Sequence, residues 1–356
     1  MATYNYTSLG LLKRNMVRKY CWLVQVFESV AAIGIILLTN ATTGFGILKN
    51  LGLPWFYAKL QYYLVLNIIL FPVGFQPNAT MHTAHHMLLY GCSEPGSDDP
   101  VWSCGEMQSN EIDKKYNTAN PCKSGSQVVY AWARDAPSLQ LPADVGFLVG
   151  RSSPVKYLVL QVHYMARFPE YQTDNSGVIL QYTQERMPRQ AGVILLGTSG
   201  YIAPQRLEYM ETACRIEEQK TIHPFAFRTH THSLGKQVSG YVVRQTPTGD
   251  SWQLLGTMDP LKPQMFYPVT NTDPVHYNDV LAARCVMNNT HDHVVKIGAT
   301  NKDEMCNFYL MYWVENDTPL EQKYCFSVGP PYYYWNNAPE NFEHIPDSIL
   351  DENKIN

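Results

Sequence analysis

The sequence contains no Cys-x-x-Cys pair, no long run of lysine and arginine, no internal repeat and no low-complexity tract. The missing cysteine pair argues against a structural zinc site. Because basic residues are scattered and the net charge is −4, we expect no nucleic acid partner. Long amphipathic helical patterns are missing after residue 75. What is left is a folded chain of 356 residues, 45% hydrophobic and 16% charged, which is long enough for two domains.

Short apolar runs separated by Gly, Pro, Asn and Asp follow from about residue 76 onward, and 24 tyrosines favour β structure. This pattern predicts an all-β fold of two tandem antiparallel, jelly-roll-like β-sandwich domains. The polar stretch 184–190 indicates the boundary between them. We therefore expect domains at 69–186 and 190–335 and a loose polar tail at 336–356. The predicted strands include the runs 69–75, 157–164, 177–182, 193–196, 237–244 and 308–314.

The N-terminal segment, residues 1–68, contains a basic flank followed by an apolar run at 21–39 that is interrupted by Gln25 and Glu28. A basic flank before an apolar run is typical of a signal peptide or a signal anchor, which would be helical. A second apolar run, 62–75, is shorter than a membrane span. If the first run is retained, the chain would associate with the membrane through its N-terminus.

Eight widely spaced cysteines favour an oxidising compartment and disulfides. Asn-x-Ser/Thr glycosylation sites support the same interpretation, although each alone carries little weight. We therefore predict a glycoprotein of the secretory pathway lumen or a secreted protein. The glycosylation sites are Asn5, Asn40, Asn78, Asn288 and Asn316.

Two His-x-His patterns occur among the eleven histidines. On an extended backbone, residues i and i+2 project from the same face, so His230 and His232 can converge on one metal ion. Most such pairs nevertheless belong to the surface or the core. His291 and His293 lie in a polar loop, and we assign them no function.

His85 and His86 are adjacent, so both can bind one ion only if the strand is irregular. His163 lies in an alternating strand, where a core histidine with a hydrogen-bond partner is the default. Met305 is likewise a core residue by default. A thioether beside imidazoles would suit copper, which cycles between two oxidation states. The spacing alone leaves the metal undecided.

Several longer motifs resemble the peptidylglycine α-hydroxylating monooxygenases, which are copper type II, ascorbate-dependent monooxygenases. The resemblance extends from about residue 69 to about residue 330, with the motifs in the family's order. The motifs are MHTAHHMLLYGC, YAWARDAP, LQVHY, FRTHTHSLGKQVSGYVVR, MFYPV, NDVLAARC and DEMCNFYLMYW.

The resemblance implies a residue set for each of two copper ions. The ligands of the electron-transfer copper would be His85, His86 and His163, and those of the catalytic copper, where dioxygen binds, would be His230, His232 and Met305. Gln161 resembles the residue between the two metal sites. The residues that match the binding site for the peptide's C-terminus are Arg228, Asn307 and Tyr309.

The implied reaction hydroxylates the α-carbon of the C-terminal glycine in glycine-extended peptides. It would use molecular oxygen as co-substrate and ascorbate as reductant. This is the first step of peptide amidation, as in neuropeptide processing. Because nothing in the chain resembles the lyase, a separate peptidyl-hydroxyglycine lyase would act downstream.

The resemblance also implies three disulfides, Cys92–Cys122, Cys214–Cys325 and Cys285–Cys306. Cys104 would pair with a cysteine in an upstream strand that this chain lacks. Since residues 1–68 do not resemble the family's first strands, we expect an incomplete first sandwich.

Two other functions are compatible with these motifs. One is a related copper monooxygenase acting on a small amine, similar to dopamine β-monooxygenase. Arg228, Asn307 and Tyr309 argue against it, because such an amine has no carboxylate to bind. The other is a catalytically impaired family member with a binding role.

Overall fold

The computed structural model describes residues 7–9, 19–24, 69–104, 117–150, 153–164, 174, 176–298 and 303–348, with only the backbone described for 7–9 and 19–24. The regular elements in these ranges are β-strands and one 3₁₀ helix, Trp335–Asn337, and no α-helix occurs among them. The prediction of an all-β fold is therefore confirmed.

Thirteen strands lie in the described residues that precede residue 184. They are β1 (Thr7–Leu9), β2 (Lys19–Val24), β3 (Ile69–Asn78), β4 (Ala84–Cys92), β5 (Glu94–Pro95), β6 (Val101–Ser103), β7 (Cys122–Ser124), β8 (Gln127–Ala133), β9 (Leu139–Gln140), β10 (Val145–Gly146), β11 (Val149–Gly150), β12 (Tyr157–Tyr164) and β13 (Gly177–Thr183).

Two five-stranded sheets form the first sandwich. One has the order β1-β13-β3-β11 with β9 beside β3, and the other has the order β6-β2-β12-β4-β8. Alternation along β12 directs Leu158, Leu160 and Val162 into the main core, while Val159 packs in a separate cluster on the opposite face. Gln161 and His163 share the face of Val159.

Strand β2 changes the expectation for the N-terminus. It lies between β12 and β6 and pairs with both in antiparallel fashion. Residues 21–24, expected to begin a helical signal or anchor, form a strand instead because two neighbouring strands satisfy their backbone. Residues 25–39 lie outside the described residues. Strands β1 and β2 also extend the first sandwich upstream of residue 69. No helix in the described part of the chain is long and apolar enough to span a membrane.

Eleven more strands lie in the described residues after residue 184. They are β14 (Arg189–Thr198), β15 (Gly200–Ile202), β16 (Arg206–Arg215), β17 (His223–His230), β18 (Gly235–Thr246), β19 (Gly249–Met258), β20 (Tyr267–Pro268), β21 (Val280–Asn289), β22 (Val295–Ile297), β23 (Asn307–Glu315) and β24 (Tyr324–Ser327). Each predicted apolar run falls within an observed strand: β3, β12, β13, β14, β18 and β23.

The second sandwich pairs a four-stranded sheet, β16-β21-β18-β19, with a larger sheet of order β10-β14-β23-β17-β20, in which β24 also pairs with β14. Phe308 and Leu310 of β23 face the core between these sheets. Tyr309 and Met311 project from the other face and pack with the core of the first sandwich. This outer face of the larger sheet is therefore the domain interface.

The C-terminal residues are packed rather than loose. The side chain of Trp335 is fully buried against the four-stranded sheet, together with the partly buried Phe342 and Ile345. The backbone N–H of Glu343 donates to Asp250 Oδ2 at 2.9 Å, and Arg284 Nη1 donates to the carbonyl of Pro346 at 2.7 Å. The expected loose tail at 336–356 is thus wrong up to residue 348, because the apolar side chains in it find a surface to cover.

Three disulfides join Cys92 to Cys122, Cys214 to Cys325 and Cys285 to Cys306. They are the pairs that the resemblance implies. Two of them anchor β24 and the segment just before β23 to the four-stranded sheet. Cys104 is disulfide-bonded as well, with a partner outside the described side chains. The expectation that this chain lacks a partner for Cys104 is therefore wrong.

Candidate functional site

The first histidine set lies at an irregularity in β4. His163 of β12 pairs with His86, but the next residue, Tyr164, pairs with Ala84 and skips His85. His85 is therefore the extra residue of a β-bulge. The bulge lets two adjacent imidazoles meet, and their Nδ1 atoms are 2.9 Å apart. The irregular strand expected from the sequence is present.

The same pair has the geometry of shared metal ligands. Two imidazole nitrogens at about 2.0 Å from one ion lie roughly 3 Å apart. The ring centroids of His86 and His163 are 3.9 Å apart. Burial, followed by the neighbouring His163 and His85, lowers the pKa of His86 well below its usual value. His86 is therefore neutral at pH 7, and the neutral form is the one that binds a metal.

No three His, Cys, Asp or Glu side chains in the described part of the chain already form a group that could hold a metal ion. In the first set, His86 is next to both other imidazoles, with its ring centroid 5.1 Å from that of His85 and 3.9 Å from that of His163. In the second candidate set the third residue, Met305, is a methionine and so is not one of these residue types.

His230 ends β17, and His232 follows two residues later, with their ring centroids 5.4 Å apart. His230 Nδ1 lies 2.7 Å from Gln264 Oε1, and His232 Nδ1 lies 2.6 Å from the carbonyl oxygen of Asp303. Both partners are acceptors, because Gln264 Nε2 donates to other carbonyls. Each Nδ1 therefore carries the proton, and each Nε2 keeps a lone pair for a metal.

Glu304 connects the two segments that carry His232 and Met305. Glu304 is 3% exposed, and its carboxylate accepts backbone N–H bonds from His232 at 2.9 Å, Leu234 at 2.8 Å and Met305 at 3.2 Å. One buried side chain therefore positions an imidazole and a thioether. Asn307 Nδ2 lies 4.0 Å from Met305 Sδ, so Met305 and Asn307 are in contact although Met305 precedes β23.

Arg228 and His230 lie opposite Tyr309 and Asn307 in the pairing of β17 with β23. The guanidinium of Arg228 is 5.0 Å from the centre of the Tyr309 ring, and its Nε and Nη2 donate to the carbonyl and side-chain oxygens of Gln264, both at 3.2 Å. Arg228 is only 3% exposed and interacts with the phenol of Tyr309, whereas its Nη1 makes no well-formed hydrogen bond to a described residue. An arginine remains charged when buried. The site therefore contains a buried cation with an N–H group that is available to a ligand.

Gln161 is buried on β12, two residues before His163. The phenol of Tyr90 donates to Gln161 Oε1 at 3.4 Å. Burial raises the pKa of Tyr90, and the nearby Tyr309 of the second domain raises it further, whereas Arg228 lowers it. This face of the first domain is therefore close to the Arg228 site.

The two histidine sets influence each other electrostatically across the domain interface. Burial lowers the pKa of His230 to about 3, and Arg228 and, more weakly, His85 contribute in the same direction. His230 and Arg228 likewise contribute to the lowered pKa of His86. Both rings are therefore neutral at pH 7, and they place no second positive charge beside the buried guanidinium of Arg228.

Three site residues were missed by sequence reasoning: Gln264, Glu304 and Tyr90. Their partners are distant in the chain, 34 residues apart for Gln264 and His230 and 72 for Glu304 and His232. Spacing rules cannot detect such pairs. The sequence signal that could have identified two of them is their position in or next to the family motifs. Gln264 directly precedes MFYPV, and Glu304 lies inside DEMCNFYLMYW.

The remaining histidine pair and the glycosylation candidates lie outside these sets. His291 and His293 are exposed. Asn78 and Asn316 are exposed and Asn288 is half-buried. Asn5 and Asn40 lie outside the described residues.

Together these elements define a class: an all-β protein of two sandwiches, with an all-imidazole donor set in one domain and an imidazole–thioether set in the other. Imidazole and thioether ligands suit copper better than zinc, calcium or magnesium. Residues 65–168 match the N-terminal domain model, and residues 189–338 the C-terminal domain model, of the copper type II ascorbate-dependent monooxygenases. The chain belongs to this family.

Individual relatives agree with this assignment. The chain is 37% identical over 296 residues to the peptidyl-glycine alpha-amidating monooxygenase B of Xenopus laevis and 38% identical over 282 residues to the corresponding mouse enzyme. These alignments cover 82% and 78% of the chain but only 31% and 26% of the relatives. Human dopamine beta-hydroxylase is more distant, 28% identical over 252 residues, which are 66% of the chain and 39% of that protein.

Proposed function

We propose that this chain is a copper- and ascorbate-dependent monooxygenase that hydroxylates the α-carbon of the C-terminal glycine in glycine-extended peptides. The observation that carries the proposal is the buried Arg228, whose Nη1 makes no well-formed hydrogen bond to a described residue and which lies two residues from His230. The names of the amidating relatives support the same substrate class.

Physical chemistry favours an anionic ligand at Arg228. A buried charge without a counterion is strongly destabilising, and a carboxylate that enters the site removes this penalty. A guanidinium binds a carboxylate through parallel charge-assisted hydrogen bonds, which selects a free C-terminus. The half-buried amide of Asn307 and the phenol of Tyr309 can hold the remaining oxygen and the peptide N–H. A small amine offers nothing to neutralise Arg228.

The histidine and methionine side chains would hold two copper ions. His85, His86 and His163 would bind the first ion, and His230, His232 and Met305 the second. Bound copper would supply one-electron redox chemistry with molecular oxygen. Gln264 and the Asp303 carbonyl keep His230 and His232 in the tautomer with a free Nε2, and Arg228 fixes the glycine near them. Gln161 would lie between the two sites.

The reaction balances with two electrons from ascorbate and two protons. One atom of dioxygen enters the glycine C–H bond and the other leaves as water. The product, a peptidyl-α-hydroxyglycine, still has to be cleaved by a separate peptidyl-hydroxyglycine lyase to give the amide. The disulfides are compatible with the secretory pathway lumen or secretion, and membrane association would depend on the N-terminal segment. The domains would span 69–186 and 190–335, with β1 and β2 added to the first.

The test compares a peptide ending in glycine with the same peptide blocked as its methyl ester, using copper-loaded protein and ascorbate. We expect the wild type to prefer the free acid strongly. Arg228→Ala should lose this preference while it retains two coppers, whereas the exposed Arg206→Ala should keep it. An unchanged preference in Arg228→Ala would refute the role of this arginine.

The alternatives give different results in the same assays. Turnover of tyramine but not of the peptide would indicate a small-amine monooxygenase. Fewer than two coppers per chain, with no ascorbate-dependent oxygen consumption, would indicate an impaired member with a binding role.

A further inference from the structure

Strand β8 ends in a tight turn directly beside the first histidine set. Its last residue, Ala133, pairs with His86 of β4, and the N–H of Ala136 donates to the Ala133 carbonyl at 3.2 Å. The two residues between them, Arg134 and Asp135, have φ angles of 54° and 55°. Positive φ at both central residues is the feature of a type I′ turn, for which Asn and Gly are the favoured residues. A left-handed arginine is therefore an unfavourable choice that calls for a reason outside the turn.

The backbone shape of this turn does not depend on its two central side chains. Arg134 and Asp135 are both exposed, so neither adds to a hydrophobic core. The turn is closed from the inside by Trp132, which is buried and whose Nε1 donates to the carbonyl of Ala136 at 2.9 Å. An Asn-Gly pair would suit the same backbone better. The reason for Arg and Asp therefore lies in what their side chains contact.

The Asp135 carboxylate holds the segment that leads into the bulge in β4. Its Oδ1 accepts the N–H of Met81 at 2.8 Å. The N–H of Ala84 donates to the carbonyl of Thr80 at 2.9 Å, so Met81 lies inside a closed turn. Ala84 is the first residue of β4 and directly precedes His85. Fixing this turn therefore fixes where the bulge begins.

The Arg134 guanidinium reaches across the domain interface. Its Nη1 donates to the carbonyl of Leu261 in the second domain. The neighbouring carbonyl, that of Pro260, accepts from Gln264 Nε2 at 3.0 Å. Gln264 Oε1 in turn lies 2.7 Å from His230 Nδ1. A first-domain arginine is thus connected, through the loop that carries Gln264, to a proposed copper ligand of the second domain.

We propose that Arg134 and Asp135 are positioning residues, one for each candidate copper site. Asp135 fixes the approach to the first site within its own domain, and Arg134 fixes the loop of the second domain that carries Gln264. The inference rests on the proposed function, because it concerns the alignment of the proposed copper ligands. One turn then sets the ligand geometry of both sites, so a shift of one domain against the other disturbs the Gln264 loop.

The test measures the copper affinity of each site separately. Titration in the His85→Ala background reports the second site, and titration in the His230→Ala background reports the first. Arg134→Asn should weaken the second site alone by about 3- to 10-fold, less than the roughly 10- to 100-fold typical of a direct hydrogen-bond partner of a ligand. Asp135→Gly should weaken the first site alone by a similar factor.

Conservative variants separate positioning from a general loss of folding. Arg134→Lys keeps a donor and Asp135→Asn keeps an acceptor, so both should stay close to the wild-type affinities. In metal-free protein, Arg134→Asn should have a urea midpoint no lower than that of wild type, because asparagine adopts positive φ more readily than arginine. Two control variants at exposed positions should change neither affinity: Arg186→Asn, and Gln205→Gly, where φ is 51°.

The outcomes separate the positioning role from the function. If the copper affinities of both sites change equally in Arg134→Asn and Asp135→Gly, or in neither variant, the positioning role is wrong and the proposed function stands. A lower urea midpoint for Arg134→Asn, together with weaker copper binding at both sites, would reduce the turn to a structural role. If wild-type protein binds no copper, the proposed function fails and the positioning role fails with it.

Discussion

Nδ1 of His85 lies 2.9 Å from Nδ1 of His86, although the two residues are adjacent in a β-strand. A regular strand would direct these imidazoles to opposite faces. The bulge opposite the His163–Tyr164 step removes His85 from the ladder and turns both rings to one side. A backbone irregularity of this kind next to a site is a common way to re-aim a side chain.

This relationship predicts that His85 is needed only for the first of the two proposed copper sites. We expect His85→Ala to bind one copper per chain instead of two, because the ligands of the second ion lie in the other domain. Ascorbate-driven turnover should fall sharply with it. Copper analysis and the absorption or paramagnetic resonance of the remaining cupric ion provide the measurement. The control variant His291→Ala, at an exposed position, should still bind two coppers. Loss of both coppers in His85→Ala would contradict the independence of the two sites.

Gln264 joins the proposed substrate anchor to a proposed copper ligand, because its side-chain oxygen accepts from both His230 and Arg228. In Gln264→Ala the imidazole loses the partner that fixes its tautomer, and we expect copper affinity at this site to fall roughly 10- to 100-fold. Copper titration measures this directly, independently of activity.

The variant Gln264→Glu separates the two roles of this side chain. A carboxylate still accepts from His230, so copper affinity should stay closer to wild type. The same carboxylate would neutralise Arg228 and compete with the peptide C-terminus, so KM should rise. Gln205→Glu, in an exposed turn, should change neither value. If both Gln264 variants lose copper and peptide binding equally, Gln264 has a structural role alone.

The fold was largely predictable because apolar alternation and turn residues dominate this sequence. The predicted run 157–164 matches β12, and 308–314 falls inside β23. The prediction for the N-terminus was wrong at residues 21–24. An apolar run that begins at residue 21 is equally compatible with a membrane signal and with a buried strand, and the structure has the strand β2 there. At the site, motifs pointed to His230 and Met305. They could not reveal Glu304, whose partners come together only when distant segments fold.

The Glu304 carboxylate is expected to stabilise the fold around both the His232 and the Met305 segments. Glu304→Gln replaces one acceptor oxygen by an NH2 group that faces backbone N–H donors. We expect a loss of about 1–3 kcal/mol in the free energy of unfolding, the usual penalty for unsatisfied buried groups. Urea unfolding of metal-free protein measures it. The exposed Glu315→Gln should lose less than about 1 kcal/mol; similar losses in both variants would argue against this role.

Lys323 gives a prediction that is independent of metal. Burial lowers its pKa from 10.5 to about 8, although Glu218 partly opposes the shift. Below the folded-state pKa both states are protonated, and the folded protein bears the full penalty of a buried charge. Between these two pKa values the unfolded chain holds a proton that the folded chain has released, so raising the pH stabilises the fold.

Lys323→Met should therefore be more stable than wild type at pH 7, and its advantage should shrink as the pH rises from about 8 toward 10.5. Urea midpoints measured across this range provide the test. Lys123→Met, at an exposed position, should differ from wild type by an amount that does not change with pH. A constant difference for Lys323→Met as well would mean that its ammonium group is solvated in the folded protein.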